Sequence, residues 1–184
     1  MQLTIKALHE VTLPELLTLF EKTNGCNGCW CMNHHFVDGT APEGEAARKE
    51  LETKFKAGTI SALLAFVAGQ PVGWCAIDEK EKLLGHDCLN HGCQEATTWS
   101  IHCIFVNKDH RGKSISKHLI EAAIAFAKNK GAKKIEAYPM KVPPGKTLKD
   151  PQYLFSGPFN TYAKLGFLEN EQVDDFYTIM SLTV

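Results

Sequence analysis

The sequence predicts an α/β fold in one domain that covers residues 1–184, and three observations support this prediction. Its 184 residues provide enough chain to bury one sizeable core. Two apolar runs in "ISALLAFVAGQPVGWCAI" meet around Gly69 and Gln70, which is a hairpin pattern because glycine tolerates the positive φ of a tight turn. A strand, an amphipathic helix and a second strand then follow between residues 97 and 139. We therefore expect a β-sheet with helices packed against it.

The segment before the hairpin contains one strand pattern and two helix patterns. "QLTIKAL" alternates as an opening strand, and Thr12 with Glu15 has the spacing of a capping box before an apolar helical pattern. This predicts a helix from about residue 13 to 23, which Asn24 and Gly25 can end through a left-handed residue. "GEAARKELETKFKAG" predicts a second helix that ends at Gly58.

The second half begins with the strand-helix-strand unit "TTWSIHCIFV", "SKHLIEAAIAFAKNKG" and "KKIEAYP". The helix places five apolar residues on one face: Leu119, Ile120, Ala123, Ile124 and Ala127. The loop "PMKVPPGKTLKDPQ" follows, and then a short helix around "PFNTYAKLG" and closing strands near "DFYTIMSLTV". The sequence shows no internal repeat or linker, which favours a single domain.

Composition excludes several classes of partner. With 44% hydrophobic residues, 22% charged residues and a formal net charge of -1, the chain has no excess of positive charge to attract nucleic acid or an anionic membrane. No apolar run approaches the roughly 20 residues that span a bilayer, and the N-terminus does not resemble a signal peptide, so we expect a cytoplasmic protein.

Seven cysteines without an export signal predict reduced thiols rather than a disulfide framework.

The stretch "RGKSIS", Arg111–Ser116, lies at the turn from a strand into a helix. The first amides of a helix have no partners inside it, and they form the positive end of its dipole. Gly112 permits a tight turn, and Ser114 and Ser116 are small enough to let the backbone approach an oxyanion. Three side chains add positive charge: Arg111, Lys113 and Lys117. The pattern fits a phosphate or pyrophosphate, with a capped helix and solvated basic residues as the alternative.

This turn, together with the order of elements around it, resembles the GNAT superfamily of acetyl-CoA-dependent N-acetyltransferases. The family signature is Arg or Gln, two residues, Gly, one residue, then Gly or Ala. Arg111 matches it, while Ser114 and Ser116 stand where the family usually has the small residues. A second family motif, Tyr-x-x-x-Gly-Phe, matches "YAKLGF". The resemblance covers most of the chain.

The resemblance implies a GNAT-like domain with a mixed, mostly antiparallel central sheet, helices on both faces and strands that splay beside the phosphate-binding turn. It also implies an acyltransferase that moves an acetyl group from its co-substrate acetyl-CoA directly to a primary amine in a ternary complex. The acceptor is expected to be a small-molecule or peptide amine, and the oligomeric state stays open.

The resemblance also implies which residues bind the coenzyme. The family lays pantetheine alongside the strand end, which here is Ile104, Phe105 and Val106. The same residues also fit an ordinary core strand. The pyrophosphate would be held by Arg111, Gly112, Lys113, Ser114, Ile115 and Ser116.

Candidate catalytic residues are Tyr162, His102 and Glu136. Tyr162 stands where the family usually has a general acid near the coenzyme sulfur, with a packed tyrosine as the alternative. Ser100 occupies the position where some members of the resembled family carry a glutamate that acts as the general base. His102, two residues on, shares its strand face and is one candidate base, unless it is a hydrogen-bonded core histidine. Glu136 is the second candidate, with a solvated edge charge as its alternative. A water chain could also replace any single base.

The segment "CNGCWCMNHH" is the least family-like part of the sequence. Cys-x-x-Cys is half of a structural zinc site, but the second pair, Cys88 with Cys93, fits loosely. We therefore expect no metal, and cysteines that pack with Trp30 in a loop at the acceptor site. In the resembled family, loops after the first helix line the acceptor pocket, which implies that three side chains here shape acceptor specificity: Trp30, Met32 and His34.

Two other functions fit the sequence. The two serines of the turn and the missing glutamate are compatible with an acyl-CoA-binding sensor that has lost catalysis. A zinc-binding interaction module would instead use Cys26, Cys29 and Cys31.

Overall fold

The computed structural model describes residues 2–37, 40–85, 97–141, 155–173 and 177–184. These residues form one seven-stranded sheet in the order β1-β2-β3-β4-β5-β7-β6. Its strands are β1 (Leu3–Ala7), β2 (Ala62–Val67), β3 (Gln70–Glu79), β4 (Thr98–Val106), β5 (Lys134–Ala137), β6 (Leu168–Gln172) and β7 (Thr178–Thr183). Only β4 and β5 pair in parallel. The predicted mixed, mostly antiparallel sheet is confirmed.

The helices are α1 (Leu13–Glu21), α2 (Asn24–Asn27), α3 (Gly44–Ala57), α4 (Ile115–Asn129) and α5 (Phe159–Lys164). Of these, α2 is a single turn in which Gly25 and Cys26 have left-handed φ. Short 3-10 turns span Leu8–Glu10, Asn33–His35, Lys80–Lys82 and Lys108–His110. The carboxylate of Glu15 accepts hydrogen bonds of 2.8 Å from the backbone amide and the hydroxyl of Thr12, so α1 begins at the predicted cap. None of the helices in the described ranges is long and apolar enough to cross a membrane.

Helices cover both faces of the sheet, as predicted. On one face α4 buries Leu119, Ile120 and Ala123 completely against the strands. On the other face, the core forms around α1 and α3, where Leu16 and Leu51 are also fully buried. Each buried leucine or isoleucine contributes on the order of 1.5–3 kcal/mol. These two cores fix the sheet that positions the site.

The parallel pairing of β4 with β5 ends early, and the sheet splays beyond it. The pairs run from Thr98 with Lys134 to Ile101 with Ala137, whereas β4 continues to Val106. The last five residues of β4 therefore lack β5 as a neighbour. This leaves a gap in the sheet beside the turn that follows β4.

A β-bulge interrupts β4 at His102. Opposite β4, Ala76 pairs with Cys103 and Ile77 pairs with Ile101, so His102 is the extra residue. The bulge changes the alternation of side chains along the strand. Cys103 consequently packs into the core around α1 and α3, and Ile104 packs into the core around α4.

Candidate active site

The turn after β4 has the backbone geometry of an anion-binding loop. Gly112 has φ +71° and Ser114 has φ +59°, and α4 begins at Ile115. Ser114 stands at a glycine position of the signature, and the left-handed φ found there explains that preference. The guanidinium Nε of Arg111 donates to the carbonyl of Val106 at 3.0 Å, which ties the turn to the strand end. The first amides of α4 point out of the helix N-terminus at this turn.

An open cleft of about 1040 Å³ runs from this turn along the splayed end of β4. All but one of the predicted coenzyme-binding residues line it: Ile104, Phe105, Val106, Arg111, Gly112, Ser114, Ile115 and Ser116. Lys113 does not, and its amine donates instead to the carbonyl of Asp109 at 2.9 Å. The structure thus brings the two halves of the predicted coenzyme site into one cleft.

The backbone of β4 faces the splay at alternate residues. The amide of Asn107 donates to the carbonyl of Val72 on β3, so Asn107 faces β3. The backbone amide of Ile104 faces away from β3, since it donates to the carbonyl of Phe155 at 2.5 Å. Backbone groups alternate along a strand, so those of Val106 also face the splay. An extended ligand in the gap would therefore meet the backbone of Ile104 and Val106.

Tyr162, the predicted acid, lies directly behind the wall of the cleft. Its side chain is fully buried on α5, and no described residue forms a hydrogen bond with its hydroxyl. Burial, and secondarily the nearby Cys75, hold the pKa of this phenol well above its usual value. A methyl group added to Gly157 would stand 3.4 Å from the hydroxyl and 3.3 Å from Ile104. Gly157 and Ile104 line the cleft, so the protonated hydroxyl of Tyr162 lies directly behind these two residues of the cleft wall.

His102, the first candidate base, is buried within the bulge of β4. Its Nε2 lies 3.4 Å from Oδ2 of Asp78, and its Nδ1 has no hydrogen-bond partner among the described residues. The rings of His34 and His35 meet the ring of His102 edge-on, at centroid distances of 5.0 and 5.4 Å. Burial, with a smaller effect of His102, lowers the pKa of His35 to about 3. Of these groups, only His34 lines the cleft.

Glu136, the second candidate base, belongs to a buried ion pair. Its carboxylate accepts hydrogen bonds from Nζ of Lys80 at 2.8 Å and from the hydroxyl of Tyr138 at 3.2 Å. Glu136 is fully buried and Lys80 is 5% exposed, so the alternative of a solvated edge charge is wrong. Neither residue lines the cleft. The ion pair compensates a carboxylate that would otherwise be costly to bury.

The cysteines differ from their prediction. Cys31 and Cys103 form a disulfide, so the prediction of reduced thiols is wrong for this pair. The physical reason is the bulge, which turns Cys103 toward the loop that carries Cys31. Cys26 and Cys29 are free, and both line the cleft. Burial raises the pKa of Cys26 to about 12 and also raises that of Cys29, so both remain thiols at neutral pH.

The other predicted acceptor-site residues of the cysteine-rich loop differ in whether they reach the cleft. Trp30 and Met32, expected to contact the acceptor, are buried, and Trp30 packs on Phe20 with ring centroids 5.8 Å apart. His34 is buried as well but forms part of the cleft wall. The predicted second cysteine pair, Cys88 and Cys93, lies outside the described residues.

The buried polar groups at the end of β3 were not predicted from the sequence. Asp78 in β3 and Lys80 in the 3-10 turn after it are almost fully buried, yet "IDEKEK" resembles an ordinary polar strand end. A hydrophobic pattern that stops at charged residues gives no sign that those charges stay inside. Phe155 and Gly157, which line the cleft, were missed because they follow a long proline-containing loop.

Solved structures share this fold. An N-acetyltransferase from Staphylococcus aureus Mu50 aligns with a TM-score of 0.60 at 16% identity, over 100% of this chain and 99% of its own. PaiA N-acetyltransferase from Thermoplasma acidophilum, solved with coenzyme A, aligns with a TM-score of 0.56 at 17% identity over 100% of both chains. YncA from Salmonella typhimurium, solved with acetyl-CoA, aligns with a TM-score of 0.60 at 14% identity, over 98% and 93% of the two chains.

Sequence similarity identifies the family. No curated protein matches this chain significantly in sequence. The family model for the Acetyltransferase (GNAT) family, however, matches residues 30–141, which is well over half of the chain and includes β4, the turn and α4. This match confirms the resemblance and the acyltransferase class predicted from the sequence: the chain belongs to the Acetyltransferase (GNAT) family.

Proposed function

We propose that this protein transfers the acetyl group of acetyl-CoA directly to a primary amine, in a ternary complex without a covalent enzyme intermediate. The observation that carries the proposal is the cleft, which joins the phosphate-type turn to the splayed end of β4. Residues 1–184 form one domain in this proposal, supported by the single sheet that joins strands from Leu3 to Thr183. We also propose that the protein acts in the cytoplasm.

The coenzyme would bind with its two ends in different environments. Its pyrophosphate would accept hydrogen bonds from the amides of the turn Arg111–Ser116, next to the positive end of α4. Its pantetheine arm would follow the splay, where the backbone groups of Ile104 and Val106 are directed. The amide of Ile104 would first have to exchange its bond to Phe155 for one to the ligand. The solved relatives that hold coenzyme A or acetyl-CoA support this choice of co-substrate.

Tyr162 is the proposed general acid. When the amine attacks the thioester carbonyl, the carbon–sulfur bond breaks and the departing thiolate needs a proton. The phenol remains protonated because its burial raises its pKa, and its hydroxyl has no partner among the described residues to compete for the proton. Its place behind Gly157 and Ile104 puts it beside the stretch of β4 along which pantetheine would lie.

The amine must also lose a proton before it attacks. His102 and Glu136 stay the proposed bases, but neither lines the cleft, so a proton would reach either of them through water. His102 is the better placed of the two, because its ring contacts the ring of His34, which lines the cleft. Glu136 is held by Lys80 and Tyr138, which restrict its movement.

The acceptor is proposed to be a small-molecule or peptide amine that enters beside the loop of residues 26–34. That end of the cleft presents His34, Asn33 and the carboxylate of Glu43. A carboxylate at the entrance is suited to a positively charged amine. The part of the cleft near the turn, in contrast, is lined by Lys108 and Arg111, whose positive charges suit the coenzyme.

The test is acetyl transfer to a panel of amines, followed by mass spectrometry of the acetylated products. Product detection is preferable to thiol detection because Cys26 and Cys29 are themselves free thiols in the cleft. We expect acetylated product from at least one amine, formed only with acetyl-CoA and enzyme present. Saturable acetyl-CoA binding without product from any amine would instead favour the non-catalytic sensor, which the two serines of the turn and the missing glutamate at Ser100 suggested.

A further inference from the structure

Three side chains from separate parts of the chain converge next to the cleft. His35 comes from the 3-10 turn Asn33–His35, Asp78 from β3 and His102 from the bulge of β4. One nitrogen or oxygen atom of each lies within 4.8 Å of the corresponding atoms of the other two. Two imidazoles and one carboxylate are a common ligand set for zinc and related transition metals. We call these three residues the His-Asp-His cluster.

The spacing within the cluster suits a shared ion better than a hydrogen bond. The distance of 3.4 Å between Nε2 of His102 and Oδ2 of Asp78 is long for a hydrogen bond, which typically measures about 2.7–3.2 Å. Two ligand atoms that each lie roughly 2.0–2.1 Å from a tetrahedral zinc ion are about 3.4 Å apart. His35 offers the third atom, within 4.8 Å of the other two, and its ring is only partly buried.

The surroundings of the cluster give a second, independent observation. His102 is completely buried, and Nε2, the ring nitrogen that faces Asp78, is the one available to an ion in the cluster. Asp78 is oriented by its other oxygen, Oδ1, which accepts from the amide of Ser61 at 2.8 Å. This hydrogen bond holds Oδ2 toward His102, as outer partners do for metal ligands.

We propose that His35, Asp78 and His102 bind a divalent transition metal ion, with Zn²⁺ as the preferred ion. Nitrogen-rich ligation disfavours Mg²⁺ and Ca²⁺, which prefer sets of oxygen ligands. Three protein ligands leave a fourth position for water or another donor. This site shares no residue with the zinc module considered for Cys26, Cys29 and Cys31. Cys31 is bonded to Cys103 and therefore has no thiolate to offer a metal. It also competes with a role of His102 as base, because a bound ion occupies a lone pair of the imidazole.

The test is titration of the full-length, chelator-treated protein with Co²⁺, followed by displacement with Zn²⁺. We expect one equivalent of Co²⁺ to produce visible d–d absorption without the near-ultraviolet charge-transfer band of a cobalt–thiolate bond. We also expect Zn²⁺ to raise the Tm of the protein, because an ion that binds only the folded state stabilises it. An absence of saturable Co²⁺ and Zn²⁺ binding, or a strong thiolate band, would overturn the proposal.

Variants locate the site. His35→Gln and Asp78→Asn should each weaken Co²⁺ binding by at least about tenfold, since the loss of even an outer partner of a ligand typically costs 10–100-fold. His9→Gln, at an exposed histidine in another 3-10 turn, is the matched control and should bind as the wild type does. Cys26→Ser combined with Cys29→Ser should also leave binding unchanged. Binding that survives His35→Gln but disappears with the two cysteines would overturn the assignment. If Asp78→Asn fails to fold, His35→Gln decides, because His35 is the partly buried member of the cluster.

Discussion

The end of β4 and its middle are only a few residues apart, yet they are built in different ways. The end, from Val106 through the turn to Ser116, consists mainly of exposed or partly exposed residues that follow one another in sequence. The middle, from Ser100 to Cys103, is buried among side chains from distant segments. The first region is a local structure that water reaches. The second exists only when the whole sheet has formed.

This difference decides what each charged group contributes. A charge at the turn keeps most of its hydration and is available to a ligand, so its removal should affect binding more than folding. A charge near the middle of β4 has lost its hydration and depends on one partner. Its removal should affect folding first.

The largest effect is expected from breaking the buried ion pair. Lys80→Ala leaves the carboxylate of Glu136 buried without its cation, which should lower the free energy of unfolding by about 3–5 kcal/mol. The matched control is Lys141→Ala, because Lys141 and Glu169 have the same separation of 2.8 Å but are exposed. That change should lower it by at most about 1 kcal/mol. Urea denaturation measures both, and equal losses would remove the proposed distinction.

A somewhat smaller effect is expected from the disulfide. Cys31 and Cys103 are 72 residues apart in sequence, so their bond restricts a long loop of the unfolded chain. Cys103→Ser should lower the free energy of unfolding by about 2–4 kcal/mol. Cys29→Ser, at a free cysteine of the same cleft, should change it much less. Denaturation with and without a reductant checks the assignment, because reductant should destabilise the wild type but not Cys103→Ser.

Tyr162→Phe should separate catalysis from folding. The hydroxyl has no described partner, so its removal should leave the free energy of unfolding and the affinity for acetyl-CoA nearly unchanged. Turnover should fall about 100-fold if the phenol protonates the leaving thiolate. Tyr138→Phe is a control for stability alone, because it removes a hydrogen bond to Glu136, a proposed base, and should cost about 1 kcal/mol of stability. Unchanged kcat in Tyr162→Phe would exclude the role as acid.

The smallest effect concerns the backbone of the turn. Ser114 has a left-handed φ and makes no capping hydrogen bond with its side chain. Ser114→Gly should therefore raise the free energy of unfolding by about 0.5–1 kcal/mol. Ser116→Gly, inside the first turn of α4, should lower it by a similar amount. Thermal unfolding of the two variants in parallel measures the difference, and a loss of stability in both would show that Ser114 is not strained.

Local patterns predicted most of the fold and the turn. The capping box at Thr12 and Glu15, the hairpin around Gly69 and the helix after the turn depend on neighbouring residues, and the structure has all three. The α4 helix also lies between two parallel strands, as a strand-helix-strand unit requires. Such features are encoded within a few residues of where they form.

The buried polar groups could not be predicted in the same way. The bulge at His102 is a property of how β4 pairs with β3, and neither strand shows it alone. Lys80 meets Glu136 across 56 residues of sequence, and His35, at the end of the cysteine-rich loop, meets His102 on β4. These contacts follow from tertiary structure, whereas composition indicates only that charged residues usually lie outside.

Titration calorimetry with coenzyme A tests most directly the central claim that the turn Arg111–Ser116 binds the coenzyme pyrophosphate. Arg111→Glu should bind at least tenfold more weakly than the wild type at low salt, which corresponds to about 1.4 kcal/mol, and salt should reduce the difference. Lys130→Glu makes the same change of charge at the far end of α4 and should have little effect. Equal affinity of the wild type and Arg111→Glu at low salt would contradict the claim.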